Sequence, residues 1–160
     1  MNGFQFALTM ATALGCIVIG GVFFGFSALV MPALRQAPAK DAVGVMQAVN
    51  TSALTFPFLP VFLGSALASA ALGVWAVVDW DADHSALLVA GAATYLVGSF
   101  VLTVAYHVPR NEALDKVTAG TADADRLWAV HVVEWTRMNH VRGLAAVAAG
   151  ALLIAGVAAA

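Results

Sequence analysis

The segment DADRLWAVHVVEWTRMNHVR, from Asp123 to Arg142, constrains the rest of the sequence more than any other stretch. It holds two of the four tryptophans, two of the four histidines and three of the seven Lys and Arg residues. It continues without a proline into the apolar tail GLAAVAAGALLIAGVAAA, which ends at Ala160. Together they predict one long helix, polar at its start and embedded in a lipid bilayer at its end.

On such a helix, the unusual residues of this segment share one face, here called the polar stripe. At about 100° per residue, the side chains within roughly 40° of Trp135 are Trp128, His131, Asn139 and Arg142. Glu134 lies at the edge of the stripe, and His140 lies nearly opposite, at roughly 140°. An interfacial belt would explain either tryptophan alone. The whole stripe favours a site, because it is costly in a membrane unless it faces protein or water.

The composition is that of an integral membrane protein. Of 160 residues, 62% are hydrophobic and 10% are charged, with a mean hydropathy of +0.90, whereas soluble domains carry about 25% charged residues. The net charge is −2 and no basic run exists, which argues against nucleic acid as a partner. The single cysteine, Cys16, permits neither an intramolecular disulfide nor a thiolate metal cluster. The first residues, MNGFQF, carry no Lys or Arg, which argues against a cleaved signal peptide.

The apolar runs predict one all-α domain over residues 1–160, a four-helix transmembrane bundle with a polar pocket at its cytoplasmic end. The predicted spans are 4–31, 53–78, 85–106 and 141–159, and the fourth has an amphipathic helical extension over 123–140.

Prolines and glycines refine this prediction. The first span is expected to end at Pro32, and the third just before Pro109. Gly21 and Gly25 form a small-xxx-small pair that would allow a homo-oligomer, although it could equally pack within the bundle.

The positive residues predict the orientation. All seven Lys and Arg residues lie in the connections after the first and third spans or at the start of the fourth span. The connection DWDADH between the second and third spans has three Asp residues and no Lys or Arg. Because positive connections stay inside, we expect a multi-pass inner-membrane protein with 32–52 and 107–140 in the cytoplasm and both termini outside.

Polar and aromatic residues at the cytoplasmic end are typical of a pocket for a small, flat, hydrophobic aromatic substrate. The side chains that could stack on its rings are Trp128, Trp135 and Tyr106. The catalytic candidates are His131, Asn139, Arg142, Asn50 and Asn111.

In this interpretation, asparagines bind phenol or ketone oxygens and Arg142 stabilises an anion. His131, held by Glu134 one turn on, is the candidate base, because the ordinary pKa of histidine lies near neutrality. Removal of a proton from an activated carbon would give a carbanion that O2 can attack.

Two other interpretations remain open. Copper, iron or zinc could bind at His107, His131, Glu134 and His140, although this spacing is not that of a known site. A haem between His107 and His131 is less favoured, and cofactor-free chemistry is the first choice. A non-catalytic protein for ligand binding, transport or assembly is the other alternative. No span has an acidic residue at its centre, as a proton-coupled exporter would need.

Four motifs occur in order along most of the chain: FGFSALVMPAL at the end of the first span, MQAVN ending at Asn50, VPRNEAL around Asn111, and Trp135-x-x-x-Asn139-x-x-Arg142. With them, the sequence resembles the anthrone oxygenase-like family of membrane proteins. The resemblance implies a four-helix membrane protein, and fungal members oxidise anthrones to anthraquinones with O2. The five residues named here match positions that look functional in the family. We therefore expect an O2-dependent oxygenase for an anthrone-like or other flat phenolic molecule.

Overall fold

Four apolar segments fold into helices long enough to cross a membrane, and a fifth helix is amphipathic. The computed structural model describes all 160 residues and contains no strand. The helices are α1 (Gly3–Leu34), α2 (Ala39–Ala53), α3 (Phe58–Val78), α4 (Ser85–Asp115) and α5 (Ala122–Ala158). All except α2 have the length and hydropathy of a membrane span, which confirms the predicted all-α, four-helix transmembrane bundle.

Local signals fix the starts of the first and last helices. Asn2 and Gln5 form a reciprocal capping box, and each side-chain oxygen accepts a backbone N–H at 2.9 Å. At the start of α5, the Thr121 hydroxyl accepts the N–H of Ala124 at 3.3 Å. The turn before Thr121 requires glycine, because Gly120 has a φ of 87°.

The helices that hold the first and third predicted spans continue past their prolines, beyond residues 31 and 106. Each proline follows a wide π turn, over 26–30 in α1 and over 103–107 in α4. Proline lacks an N–H and its ring clashes with the carbonyl one turn earlier, and a π turn relieves both problems without ending the helix. These helices therefore extend to Leu34 and Asp115.

The other predicted boundaries shift less. α2 continues through Ala53, so the second span begins at Phe58 rather than at residue 53. The amphipathic extension and the fourth span form one unbroken helix, α5, that ends at Ala158.

Small residues let α5 approach α1 closely. α5 packs mainly on α1 and α4, and α3 packs on the same two helices to complete the bundle. A Cβ added to Gly150 would lie 2.6 Å from the Ile17 side chain and 3.0 Å from the Ala13 carbonyl. A Cβ at Gly21 or Gly25, by contrast, would have no atom within 4 Å. Packing inside the bundle therefore does not use the Gly21–Gly25 pair.

The amphipathic helix α2 covers one end of the bundle, here called the α2 end. Val43 and Met46 of α2 pack there with Leu114, Trp128 and Val132 in an apolar cluster separate from the one between the spans. The chain crosses the bundle four times, so both termini and the 79–84 connection lie at the opposite end. The beginning of α5, with its polar residues, therefore lies beneath α2.

Candidate functional site

The polar stripe of α5 faces the inside of the bundle. Its members are exposed by 6% or less: Trp128, His131, Trp135, Asn139 and Arg142. Glu134 and His140 are exposed on other faces of the helix. The helical periodicity thus predicted correctly which side chains are buried together.

Asn139 and Arg142 form a hydrogen-bonded network that joins three spans. The Asn139 amide donates to the Phe23 carbonyl and to the Ser27 hydroxyl of α1, both at 2.7 Å. Its oxygen accepts from Nε of Arg142 at 2.8 Å. Nη1 of Arg142 donates to the Thr103 hydroxyl of α4 at 3.2 Å. Because both ends of the Asn139 amide are bound, the Asn139–Arg142 network has a fixed geometry.

Aromatic rings, not carboxylates, surround the Arg142 guanidinium. Its central carbon lies 3.9 Å from the ring centroid of Phe23 and 4.9 Å from that of Trp135. None of the three ion pairs in the structure involves Arg142. The site therefore presents a buried positive charge that can hold negative charge on a ligand.

Trp135 links this network to a row of stacked rings. Its indole N–H donates to the Asn111 side-chain oxygen at 2.9 Å. His131 stacks between Trp128 and Trp135, with ring centroids 5.8 and 6.3 Å apart and interplanar angles of 21° and 24°. Nε2 of His131 has no hydrogen-bond partner. Glu134 does not pair with His131 as predicted. It faces away from the stripe, and its carboxylate oxygen lies 3.5 Å from a guanidinium nitrogen of Arg110.

His107 is the other buried histidine, and neither of its ring nitrogens makes a hydrogen bond of good geometry, although the Met138 backbone lies within reach. It is 0% exposed and meets the Trp135 ring edge-on, with centroids 5.1 Å apart. It follows Thr103, the Arg142 partner, by one turn of α4. His131, by contrast, precedes Arg142 by three turns, or about 16 Å along α5. His107 is thus the histidine at the level of the Asn139–Arg142 network.

Asn50 acts at the edge of this region. Its amide donates to the Asp115 carboxylate at 2.8 Å and to the Asn111 carbonyl at 3.4 Å. Its neighbour Gln47 donates to two backbone carbonyls near the end of α4, at 2.8 and 2.9 Å. α2 therefore fixes the end of α4, from which Asn111 reaches Trp135.

The half-buried Tyr106 is covered by a cation. The Arg110 guanidinium lies 3.5 Å from the Tyr106 ring centroid, and Arg110 also pairs with Glu134. The Tyr106 ring also makes an edge-on contact with His107 at 5.4 Å. Arg110 therefore covers one face of the ring on which a substrate was predicted to stack.

The four possible metal ligands do not come together. No three His, Cys, Asp or Glu side chains lie close enough to hold a metal ion. His140 is exposed, Glu134 faces Arg110, and the Trp135 ring contacts both His107 and His131. These four residues therefore do not form one site for copper, iron or zinc, and the Trp135 ring lies against both histidines that were predicted to hold a haem.

The structure adds three residues that sequence reasoning missed: Phe23, Ser27 and Thr103. Ser27 and Thr103 lie in the π turns before Pro32 and Pro109, so the prolines were the signal that could have located them. A separate groove of about 260 Å³ opens between α1 and α3, and no residue of the network lines it.

Residues 53–152 match the family model described as anthrone oxygenase. The match covers more than half of the chain and includes the polar stripe, Thr103, His107 and Asn111. No curated protein and no solved structure matches the sequence.

Proposed function

The chain belongs to the anthrone oxygenase family, and we propose that it is a membrane-embedded monooxygenase that uses O2 to oxidise a flat phenolic or anthrone-like molecule. The observation that carries this proposal is the buried Asn139–Arg142 network, enclosed by the rings of Phe23 and Trp135. A charged, hydrogen-bonded group within an apolar span marks a functional site. The surrounding bilayer would supply both a hydrophobic substrate and O2.

The proposed reaction converts a CH2 group between two aromatic rings into a ketone. A base removes one proton, and the resulting carbanion shares its charge with the ring oxygens. The carbon gives electrons to O2 as the C–O bond forms, and protonation yields a hydroperoxide. The O–O bond then breaks as the second carbon-bound proton leaves. One oxygen atom ends in the ketone and the other in water, so the substrate supplies all four electrons and no external reductant is needed.

The roles of the residues follow from their positions. Trp135, whose ring already meets His131 and Arg142, would stack on the substrate once one face opens, and Arg142, oriented by Asn139, would hold the oxygen that carries the negative charge. His131 is the base that the sequence predicts, and its free Nε2 supports that role. His107 is the alternative base, supported by its place beside the network and its two nitrogens without a hydrogen bond of good geometry.

Other side chains act by positioning. Trp128 would stack on the far side of His131, and Asn111 orients Trp135. Asn50 holds the end of α4 that carries Asn111. No step of the proposal passes through a metal, because the candidate ligands do not gather. Elemental analysis of the purified protein tests this directly: stoichiometric copper or iron that is lost on replacing His131 would contradict it.

The asymmetry of the charged residues supports a location in the cell (inner) membrane. Every Lys and Arg lies at the α2 end or in the half of α5 beneath it, and the 79–84 connection at the other end has none. The proposed orientation has the α2 end in the cytoplasm and both termini outside. Cysteine labelling from each side of the membrane tests this orientation.

The test of the proposed activity is O2 uptake by the purified protein in mild detergent, with anthrone as the substrate. The double variant Asn139→Leu/Arg142→Met should lose turnover, while Arg137→Met, an exposed position on the same helix, should retain it. Both should elute as monodisperse proteins. Full turnover by the double variant would contradict the site.

A non-catalytic protein for ligand binding, transport or assembly is the second candidate function. It is favoured by one observation: the network already cross-links α1, α4 and α5, which a purely structural role would also explain. Absence of O2 uptake by the wild-type protein with anthrone and other phenolic tricycles would favour this candidate.

A further inference from the structure

The groove between α1 and α3 lies on a different side of the bundle from the Asn139–Arg142 network. It is formed by residues 8–15 of α1 and residues 60–68 of α3, and its volume is about 260 Å³. Ala11, Pro60 and Gly64 in its lining are exposed. A Cβ added to Gly64 would meet no atom within 4 Å. Because both walls belong to membrane spans, the groove opens sideways towards the hydrocarbon of the bilayer.

The groove lies near the middle of the membrane. Thr12 and Ser65 line its central part. At about 1.5 Å per residue, they lie roughly 14 and 20 Å from Gly3 and Val78, which end their helices opposite the α2 end. The hydrocarbon core of a bilayer is about 30 Å thick. The polar head groups lie outside this core, so only the acyl chain of a phospholipid reaches the groove.

The Ser65 hydroxyl is a polar group at this depth that has no acceptor. Ser65 is only 5% exposed, and its hydroxyl does not bond the carbonyl one turn earlier, as that of Thr12 does at 2.7 Å. The Tyr95 hydroxyl lies within reach but donates to the Phe62 carbonyl at 3.2 Å, and it makes no hydrogen bond of good geometry with Ser65. Buried polar groups nearly always have a partner, so Ser65 can donate a hydrogen bond to a ligand.

Gly15 of α1 leaves room for this hydroxyl. A Cβ added at that position would overlap the Ser65 hydroxyl oxygen, so any larger residue would push Ser65 out of the space between the two helices. The side chains of Leu8 and Val61 line the same space. The groove therefore combines apolar walls with one hydrogen-bond donor, which is typical of sites for small apolar ligands.

Depth and chemistry together select the class of ligand. An acyl chain would cover the walls but has no oxygen at this depth for Ser65. A charged ligand is costly at this depth, because no charged residue lines the groove. We infer that the groove between α1 and α3 binds a small, neutral, apolar molecule whose carbonyl oxygen accepts a hydrogen bond from Ser65. This second site goes beyond the proposed function, and its test involves no turnover.

Photolabelling with benzophenone tests the inference. The excited carbonyl of this neutral ketone attacks nearby C–H bonds, so the labelled residues show where its oxygen lies. Wild-type protein in phosphatidylcholine nanodiscs is irradiated at increasing benzophenone concentrations, and labelled residues are identified by mass spectrometry. We expect saturable labelling of Leu8 and Val61. Unsaturable labelling spread over other exposed apolar residues of the spans, such as Val133 and Leu144, would overturn the inference.

Three variants assign the binding to the groove. Ser65→Ala removes the donor and keeps the space, so the half-saturating concentration should rise about five- to tenfold, as expected for one hydrogen bond. Ser69→Ala is the matched control, because it removes a buried hydroxyl one turn further along α3 that does not line the groove. Gly64→Leu should abolish labelling, since its side chain would start in the open groove. An unchanged half-saturating concentration in Ser65→Ala would overturn the inference.

Competition distinguishes a carbonyl ligand from other occupants of the groove. 6-Undecanone and undecane have chains of the same length and differ in one carbonyl. We expect 6-undecanone to displace benzophenone more strongly than undecane from the wild-type protein, and equally in Ser65→Ala. Equal displacement from the wild-type protein would identify a groove for hydrocarbon chains and overturn the carbonyl ligand. A dimeric wild-type protein with unlabelled Leu8 and Val61 would assign the groove to a second copy of the chain and overturn the inference as well.

Discussion

The two halves of α5 bury very different side chains. Before residue 143, the inner face carries the polar stripe, with two Trp, one His, one Asn and one Arg. Beyond that point, the buried residues are Gly143, Ala146, Ala149, Gly150, Leu153 and Gly156. Both halves pack on α1 and α4, and the first half also packs on α2. The difference therefore depends on what these helices present to each half.

The second half meets regular helix in α1 and, at Ala145, the π turn of residues 96–101 in α4, and close backbone packing holds it in place. Gly150 allows α5 to approach the backbone of α1, as small residues do between membrane helices. The first half meets the π turns of α1 and α4, which bring Ser27, Thr103 and His107 to the inside. One helix thus combines an anchoring half and a polar half. Variants in the polar half should remove activity without unfolding the protein. Variants in the anchoring half should lower stability without changing the activity of the molecules that remain folded.

The largest expected effect, in the polar half or in the π turn of α4 that faces it, is the loss of the base. Replacing His131 or His107 by Phe keeps an aromatic ring but removes the proton acceptor. The variant that lacks the true base should lose about 10²- to 10⁴-fold in kcat, measured as O2 uptake with anthrone. His140→Phe, at an exposed position of α5, is the control and should retain kcat.

Each outcome of this experiment assigns a role. A loss of kcat in His131→Phe alone would identify His131 as the base, as the sequence predicts. A loss of kcat in His107→Phe alone would identify His107, beside the Asn139–Arg142 network, as the base. Unchanged kcat in both variants would contradict a histidine base and weaken the division of α5 into two halves.

Much of this arrangement follows from the sequence because helices are local structures. Hydropathy alone located four spans, and a rotation of about 100° per residue placed Asn139 and Arg142 on one buried face with Trp135. The same arithmetic put His140 on the other side, where it is exposed. The elements and the face of α5 could thus be predicted without any knowledge of the partner helices.

The partners of the network could not be predicted, because they depend on long-range packing. Asn139 binds α1 and Arg142 binds α4. The prolines mark the turns that hold Ser27 and Thr103, but no local pattern pairs these hydroxyls with Asn139 or Arg142. The prolines predict helix ends, whereas π turns carry both helices onward. The spacing of three residues predicts a Glu134–His131 pair, but Glu134 pairs with Arg110.

In the anchoring half, the expected effect is on stability. Gly150→Ala would place a methyl group 2.6 Å from the Ile17 side chain and 3.0 Å from a backbone carbonyl, so the two helices must separate. Overpacking of this kind costs about 1–3 kcal/mol. Thermal unfolding in detergent should show a lower Tm, while kcat per folded molecule stays near the wild-type value. Gly21→Ala is the control, because its methyl group would meet no atom within 4 Å. Equal Tm values for the two variants would contradict the anchoring role.

The smallest expected effect concerns the orientation of Trp135. Asn111→Ala removes the acceptor of the indole N–H and leaves that donor unpartnered, at a cost of about 1–3 kcal/mol. Because the proposed role of Trp135 is to stack on the substrate and not to transfer a proton, KM for anthrone should rise about tenfold with little change in kcat. Trp135→Phe keeps a ring but has no N–H to orient, so adding Asn111→Ala to it should change KM no further. An equal rise in KM in both backgrounds would show that Asn111 acts on the substrate directly. The substrate-binding surface would then include the end of α4 as well as the polar half of α5.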